Sequence, residues 1–542
     1  MNNPLFELLS QYADSDRPLI CNPSAENGSA TLSYADFFQL VSRTATALLE
    51  LGIRPGDRVA LQATKSVEAL AVYLGCVQTG AAFLPLNTAY TAREIDYFLN
   101  DASVSVFITD PDSPLVQQNK DNALAENCRV LSLDGHNKGS FAEAVSKAKP
   151  SDNIASRNPT DLGAILYTSG TTGRSKGAML SQENLASNTR VLLDYWQFTE
   201  DDCLLHALPI YHTHGLFVAC NVVLATGASM IFHAAFNVDQ VIQDLPAANT
   251  MMGVPTFYTR LLDDPRFDSQ ISRHMRLFTS GSAPMLAETH IAFEQRTGQR
   301  ILERYGMTET GMLTSNPYAS QDGPRKAGTV GTPLPGVELR IVDSGELDDE
   351  DLASQTGSQA GSPSTSESTP KSPSIGMIEV KGPNVFSGYW NMPEKTAEEF
   401  RDDGFFITGD LGFTDEDGYV TIVGRNKDLI ITGGFNVYPK EVESLIDEKH
   451  GIKESAVIGL SHKDFGEAVT AVLVLDKSIV ESDGEHAAAA IINNVEQELA
   501  VALAKFKQPK QYLVLDELPR NTMGKVQKNI LRDKFEKLYL DS

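Results

Sequence analysis

Tyr167-Thr168-Ser169-Gly170-Thr171-Thr172-Gly173-Arg174-Ser175-Lys176-Gly177 is the stretch on which the reading of this chain turns. Its glycines let the backbone approach a ligand closely, its amides and hydroxyls donate hydrogen bonds, and Arg174 and Lys176 supply charge. That combination suits a polyphosphate. It is not a Walker A loop: Gly177 follows the lysine, so the hydroxyl that ligates magnesium in that geometry is missing. A Gly/Ser/Thr loop between apolar runs can equally be a plain surface loop, so the neighbours must decide. Upstream, residues 162–167 read as a short apolar strand; downstream, Ser181 caps a helix with Glu183 in its first turn. The loop thus falls at the carboxyl end of a strand, where open α/β sheets bind ligands.

The same texture continues outward. Ser33 opens an amphipathic helix, residues 58–62 form a strand and residues 67–79 another helix, an alternation that predicts parallel sheet with helices on its faces. From Tyr419 the pattern changes. Strands at 419–423 and 429–432 flank the charged turn 424–428, Pro439 starts a helix, and two strands at 454–460 and 468–475 with a helix around 487–504 complete a compact unit. A boundary near Arg425 divides the chain into residues 1–424 and 425–542. Residues 344–375, acidic and rich in Ser, Gly and Pro, cannot bury enough apolar surface to offset their ordering entropy, which predicts a mobile surface insertion.

At 542 residues the chain exceeds what one core serves, and 42% apolar with 21% charged residues describes a soluble globular protein. Its net charge of -26 argues against duplex nucleic acid, so any anionic ligand must be met by locally placed cations. Cys21, Cys76, Cys128, Cys203 and Cys220 form no C-x-x-C pair, which suggests neither a disulfide framework nor zinc. With no secretory, transit or peroxisomal signal in view, the cytoplasm is the expected compartment. The charge-free run 215–232 is just long enough to be a membrane span, but Asn221, Thr226, Gly227 and Ser229 interrupt it. It reads as a core helix leading into a strand.

Seven further segments follow the loop in order: Leu208-Pro-Ile-Tyr-His212, Ser280-Gly-Ser-Ala-Pro284, Glu303-Arg-Tyr-Gly-Met-Thr-Glu-Thr310, Ile407-Thr-Gly-Asp410, Val423-Gly-Arg-Asn-Lys-Asp428, Thr432-Gly-Gly-Phe-Asn-Val-Tyr-Pro439 and Pro519-Arg-Asn-Thr-Met-Gly-Lys525. The set resembles the acyl-adenylate-forming superfamily of acyl-CoA synthetases, adenylation domains and luciferases. Met252-Gly-Val-Pro-Thr-Phe-Tyr-Thr-Arg260 and Asn521 to Lys528 are similar to malonyl-CoA synthetases in particular. The resemblance implies an α/β protein, with a large N-terminal domain of layered α/β subdomains and a small mobile α+β C-terminal domain. It also implies ATP, magnesium and coenzyme A.

What the resemblance implies for single residues has a physical rationale. A carboxylate is already ionised at neutral pH, so its attack on the α-phosphorus needs no general base but does need positive charge to bring anions together. Lys525 would bridge carboxylate and α-phosphate. Thr168, Ser169, Gly170, Thr171, Thr172, Gly173 and Lys176 would line the phosphate path, and Glu309 with Thr168 would hold magnesium. Tyr305 would stack on adenine between Gly281, Ser282 and Ala283 and the run Gly306, Met307, Thr308. Asp410 would accept the ribose hydroxyls and Arg425 would reach ribose and phosphate. His212 would gate the acyl pocket. Lys427 sits at the hinge position, and Gly433 and Gly434 would leave room for pantetheine.

A malonate substrate carries a second carboxylate that cannot be buried unpaired. Arg260 is the expected partner, with Ser282 as an added donor; the alternative is that Arg260 pairs along its helix with Asp263 or Asp264. Ligation of malonate to coenzyme A through malonyl-AMP is the reading these residues favour. Ligation of another short or medium acid such as methylmalonate, or a carrier-dependent reaction without free thioester, remain the other readings.

Overall fold

The computed structural model describes residues 3–23, 30–116, 128–168, 175–343, 374–432, 435–462, 465–476, 487–503, 505–521 and 524–539. The loop residues Ser169, Gly170, Thr171, Thr172 and Gly173, the pair Gly433 and Gly434, and nearly all of the 344–375 insertion lie outside them.

Two large sheets share one core. The first has six strands in the spatial order Arg129–Ser132, Val106–Thr109, Arg58–Gln62, Ala82–Pro85, Leu162–Thr168 and Lys176–Ser181, parallel except for the last. The second has nine, and its centre is a parallel run of Leu302–Met307, Leu277–Ser280, Thr250–Gly253, Cys203–His206 and Ser229–Phe232. Between the sheets lies the helix Val67–Thr79, with every residue from 69 to 79 buried, as expected of a helix apolar on all sides. Ser66 starts it by accepting the Ala69 amide at 3.1 Å, a cap worth about 1 kcal/mol. Tyr73 on this helix meets Phe83 of the first sheet and Phe217 beside the second, both at 5.5 Å between ring centroids.

Residues 215–232 are core. They form a π-helix His214–Cys220, a helix Asn221–Thr226 and the strand Ser229–Phe232, and Leu216 to Leu224 are buried throughout. Among the described residues no helix is long and apolar enough to cross a membrane. The π-turns are a local widening that sequence periodicity does not reveal, and such turns cluster at functional sites.

A third sheet, antiparallel, runs Glu338–Asp343, Gly376–Lys381, Phe406–Thr414, Val420–Arg425. The two strands expected to flank the charged turn do not pair with each other. Val420–Arg425 ends this third sheet, whereas Ile430–Thr432 belongs to a fourth, and the turn between them is the 3-10 segment Asn426–Asp428. The fourth sheet centres on Ile452–His462 and Gly466–Leu475, with the helices Pro439–Asp447, Ala487–Ala502 and Lys528–Phe535 around it. Its apolar residues make two clusters of their own, drawn wholly from Ile430 onward. The protein is thus a mixed α/β molecule with a large N-terminal and a small C-terminal domain.

Candidate active site

The parallel strands of the second sheet all end on one side, and the site is assembled there. At the phosphate end, Thr168 and Lys176 are the last pair of an antiparallel hairpin, so the backbone holds them opposite each other across the loop mouth. Thr168 Oγ1 lies 3.5 Å from Glu309 Oε1. Glu309 follows the strand Leu302–Met307, is 5% exposed, and has its carboxyl raised above the ordinary range by burial. A buried carboxylate beside a hydroxyl, both hard oxygen donors, is a donor set that fits magnesium. Among the described residues no group of three metal-ligating side chains occurs.

At the nucleotide end, Asp410 and Arg425 are register partners on neighbouring strands, with Arg425 Nε 2.8 Å from Asp410 Oδ1. The Tyr305 hydroxyl donates to Asp410 Oδ2 at 2.5 Å. Burial, then the Asp410 charge, drive the phenol's pKa well upward, so it remains a donor at all working pH values. Gly281, Ser282 and Ala283 follow the strand Leu277–Ser280, while Gly306, Met307 and Thr308 continue from Tyr305. Ser282 is held at φ +68°, where a residue with a Cβ is strained. Gly306 packs against the facing strand so closely that a Cβ there would come 2.0 Å from the Gly311 carbonyl oxygen.

The third part of the cleft contains the feature that sequence reading missed. Arg304 points inward from Leu302–Met307, is 2% exposed, and all three of its guanidinium nitrogens lack a hydrogen-bond partner among the described residues. Its Nη1 lies where a Cβ on Gly281 would come within 2.3 Å, so only glycine admits it there. Burial lowers its pKa to about 9. Burial, then Arg304, hold His212 down at about 4 and push His214 down as well, so both imidazoles are neutral. Ser282 Oγ and His214 Nδ1 are 3.2 Å apart, and Nε2 of His214 has no partner among the described residues. A neutral, donor-rich wall thus surrounds one enclosed cation.

Arg260 is placed differently. It is exposed in the last turn of the helix Pro255–Leu262, and among the described residues no acid pairs with it. Asp264, its suggested helical partner, instead grips Arg266 at 2.6 Å, because the helix ends at Leu262 before the i,i+4 geometry is reached.

Lys525 reaches this cleft from the C-terminal domain. It sits in a tight turn: the Gly524 amide donates to the Asn521 carbonyl at 2.9 Å and the Lys525 amide to Asn521 Oδ1 at 3.0 Å. Gly524, at φ +75°, lies so close to Pro255–Leu262 that a Cβ on it would stand 3.1 Å from Thr256 Oγ1. The side chain as a whole is exposed, yet the cleft walls desolvate its ammonium and Arg425 repels it, lowering its pKa to about 8, with Asp410 acting in the opposite sense. Lys427 is likewise lowered, first by burial and then by Arg425. Next to it, Asp428 receives Arg532 Nη2 at 2.5 Å, which ties the end of the 3-10 turn to the C-terminal domain.

Residues 10–390 match the family described as AMP-binding enzyme, and residues 441–525 match the AMP-binding enzyme C-terminal domain. The chain belongs to this family. It is an AMP-forming acid–CoA ligase, with ATP and coenzyme A as the substrates the family uses. It is 34% identical over 512 residues to malonate--CoA ligase of Arabidopsis thaliana, an alignment covering 90% of this chain and 79% of that one. It is 33% identical over 510 residues to indoleacetate--CoA ligase of Aromatoleum aromaticum, covering 92% of each. Among solved structures, ATP-bound MatB from Rhodopseudomonas palustris is 51% identical and superposes with a TM-score of 0.87 over 99% of this chain and 100% of that one.

Two residues of this AMP-binding enzyme escaped sequence reading. Arg304 carried no local signal that its strand Leu302–Met307 would be enclosed. Lys65 carried none either. Its ammonium contacts His206 Nδ1 at 2.9 Å and donates to the carbonyls of His206 at 2.9 Å and Leu208 at 3.0 Å, pinning the segment that leads to His212.

Proposed function

We propose that this ligase activates malonate, forming malonyl-AMP and then malonyl-CoA with release of pyrophosphate and AMP. One observation carries the reading: an enclosed guanidinium at Arg304, without a hydrogen-bond partner among the described residues and beside Ser282 and the two neutral histidines, asks for an anion in the acyl pocket. A dicarboxylate supplies one while keeping its other end free to react. A monoacid would leave Arg304 buried and unpaired, at a cost of several kcal/mol. In this reading Arg304 takes the role expected of Arg260, and the similarity to a malonate ligase supports it.

The reactive carboxylate attacks the α-phosphorus in line with the departing pyrophosphate. Lys525 stands between the two anions as charge shifts onto the bridging oxygens, and Arg425 shares that charge. Asp410, oriented by Tyr305 and Arg425, takes the ribose hydroxyls; Tyr305 offers its ring to adenine, with Gly281, Ser282 and Ala283 opposite and Gly306, Met307 and Thr308 behind. Glu309 and Thr168 would hold magnesium, which neutralises phosphate charge when bound. Lys176 closes the phosphate path together with Ser169 to Gly173. Lys427 is the pivot at the 424/425 boundary, about which the C-terminal domain turns to withdraw Lys525 and to bring Gly433 and Gly434 to a pantetheine channel. His212 gates the acyl carbonyl toward the thiol. All five cysteines are free, which supports a cytoplasmic setting.

The test is a panel of acids, malonate, methylmalonate, succinate, butyrate and indoleacetate, in a pyrophosphate-release assay with coenzyme A-dependent AMP formation. Malonate should give the highest kcat/KM. A monoacid preferred over every dicarboxylate refutes the reading.

A further inference from the structure

Lys176 is already engaged. Its ammonium pairs with Glu399 Oε1 at 2.8 Å and lies 4.1 Å from the centroid of the Tyr389 ring. Glu399 arrives from far along the chain, immediately after the helix Pro393–Glu398. Its second oxygen accepts the Tyr389 hydroxyl at 2.6 Å, and that same hydroxyl stands 3.1 Å from Glu309 Oε1. Lys395 Nζ also reaches Glu399 Oε1, at 3.2 Å. Lys176 and Glu399 are only 18% and 20% exposed, so water screens the pair poorly. An unbroken run of contacts, Lys176 to Glu399 to Tyr389 to Glu309, therefore joins the cation of the phosphate path to its buried carboxylate.

An ammonium held this way is not freely available to an incoming polyphosphate. We propose that Glu399 is a positioning residue that competes with the β- and γ-phosphates for Lys176 and thereby speeds the departure of pyrophosphate. The proposal rests on the reading of Lys176 as a phosphate ligand. When the carboxylate oxygen bonds to the α-phosphorus, the bond from that phosphorus to the bridging oxygen breaks and pyrophosphate leaves with the electron pair. Glu399 then reclaims the ammonium, so the phosphate site is no longer fully cationic as the product exits. Tyr389 keeps Glu399 within reach while the exchange takes place.

The competition lowers apparent pyrophosphate affinity by the ratio of paired to open Lys176. Glu399→Gln preserves shape and the contact with Tyr389 but removes the competing charge. The inhibition constant for pyrophosphate should fall about tenfold, with KM for ATP falling in parallel, for a pair favoured about tenfold over its open form. The inhibition constant for AMP, which lacks those two phosphates, should stay unchanged. Tyr389→Phe, which leaves the charge but removes its tether, should shift the pyrophosphate constant about threefold the same way, and it serves as the test if the Gln variant does not fold. Lys176→Met separates the layers. If it weakens ATP while Glu399→Gln leaves pyrophosphate inhibition unaltered, the competition is refuted and the lysine keeps its role. If Lys176→Met leaves KM for ATP unchanged, the reading beneath the proposal fails. Equal shifts in the AMP and pyrophosphate constants would mark Glu399 as merely structural and overturn the proposal.

Discussion

Arg304→Met tests the proposed basis of substrate choice, because methionine fills a comparable volume without charge and adapts to irregular space. In the folded protein the guanidinium is 2% exposed and its pKa is lowered to about 9 by burial. Keeping it charged at neutral pH therefore costs the folded state on the order of 5 kcal/mol. The sign follows from linkage: the folded value lies below the unfolded one, so the penalty is complete at neutral pH and is relieved only as pH rises through about 9. Arg304→Met should accordingly raise the thermal midpoint of the free enzyme at pH 7. Activity should move the other way. Removing one partner of a buried ion pair costs roughly 3–5 kcal/mol, so kcat/KM for malonate should fall between roughly 150-fold and 5000-fold. Butyrate, which never used the charge, should hold its rate or gain. The assay is pyrophosphate release with the two acids side by side, with scanning fluorimetry of the same preparations. A common fall for malonate and butyrate, or a lowered midpoint without ligand, would refute the assignment of Arg304.

Three further outcomes follow from the same geometry. Lys525→Ala should abolish adenylate formation from ATP while thioester formation from supplied malonyl-AMP survives; loss of both halves alike would rule out a C-terminal domain that works in alternate orientations. Since the Lys525 ammonium is held at about 8, kcat/KM for adenylation should decline about tenfold per pH unit above that value, whereas His212, near 4, adds no acidic limb around neutrality. An alkaline limb at the same pH in Lys525→Ala, read from any residual rate, would assign it elsewhere. Tyr305→Phe removes the 2.5 Å hydrogen bond to Asp410 and should raise KM for ATP roughly 10- to 150-fold, the equivalent of the roughly 1.5–3 kcal/mol of a hydrogen bond to a charged group, with little effect on KM for the acid. An unchanged KM for ATP would show that Asp410 does not depend on Tyr305 for its orientation.

Much of this was legible in the residues. Ser33 and Ser181 cap helices as their spacing implied, because capping is a local contest between a side-chain oxygen and the first free amides. The strand leading to Thr168 and the break before Ser229 were equally readable from apolar runs and glycine. Tyr305, Asp410, Arg425 and Lys525, spread over more than two hundred residues, do converge, and the order of motifs anticipated that. Arg260 shows where such reading stops. Expected at the substrate's second carboxylate, or else paired with Asp263 or Asp264, it lies exposed on a helix that ends at Leu262, and Asp264 turns to Arg266. Arg304 looked like one more charged residue in a polar motif, and nothing in its neighbours along the chain told that its strand would be enclosed.

The sequence by itself determined the capped helices, the apolar strands and the family, since these depend on periodicity, caps and motif spacing that act over a few residues. Tertiary structure alone decided which cations are buried and what they face. Burial and desolvation depend on the sum of surfaces brought together from distant segments: Gly281 giving way to Arg304, Glu399 crossing to Lys176, Thr256 receiving the turn that carries Lys525. A charge acquires its meaning from the medium around it, and that medium exists only once the chain has folded.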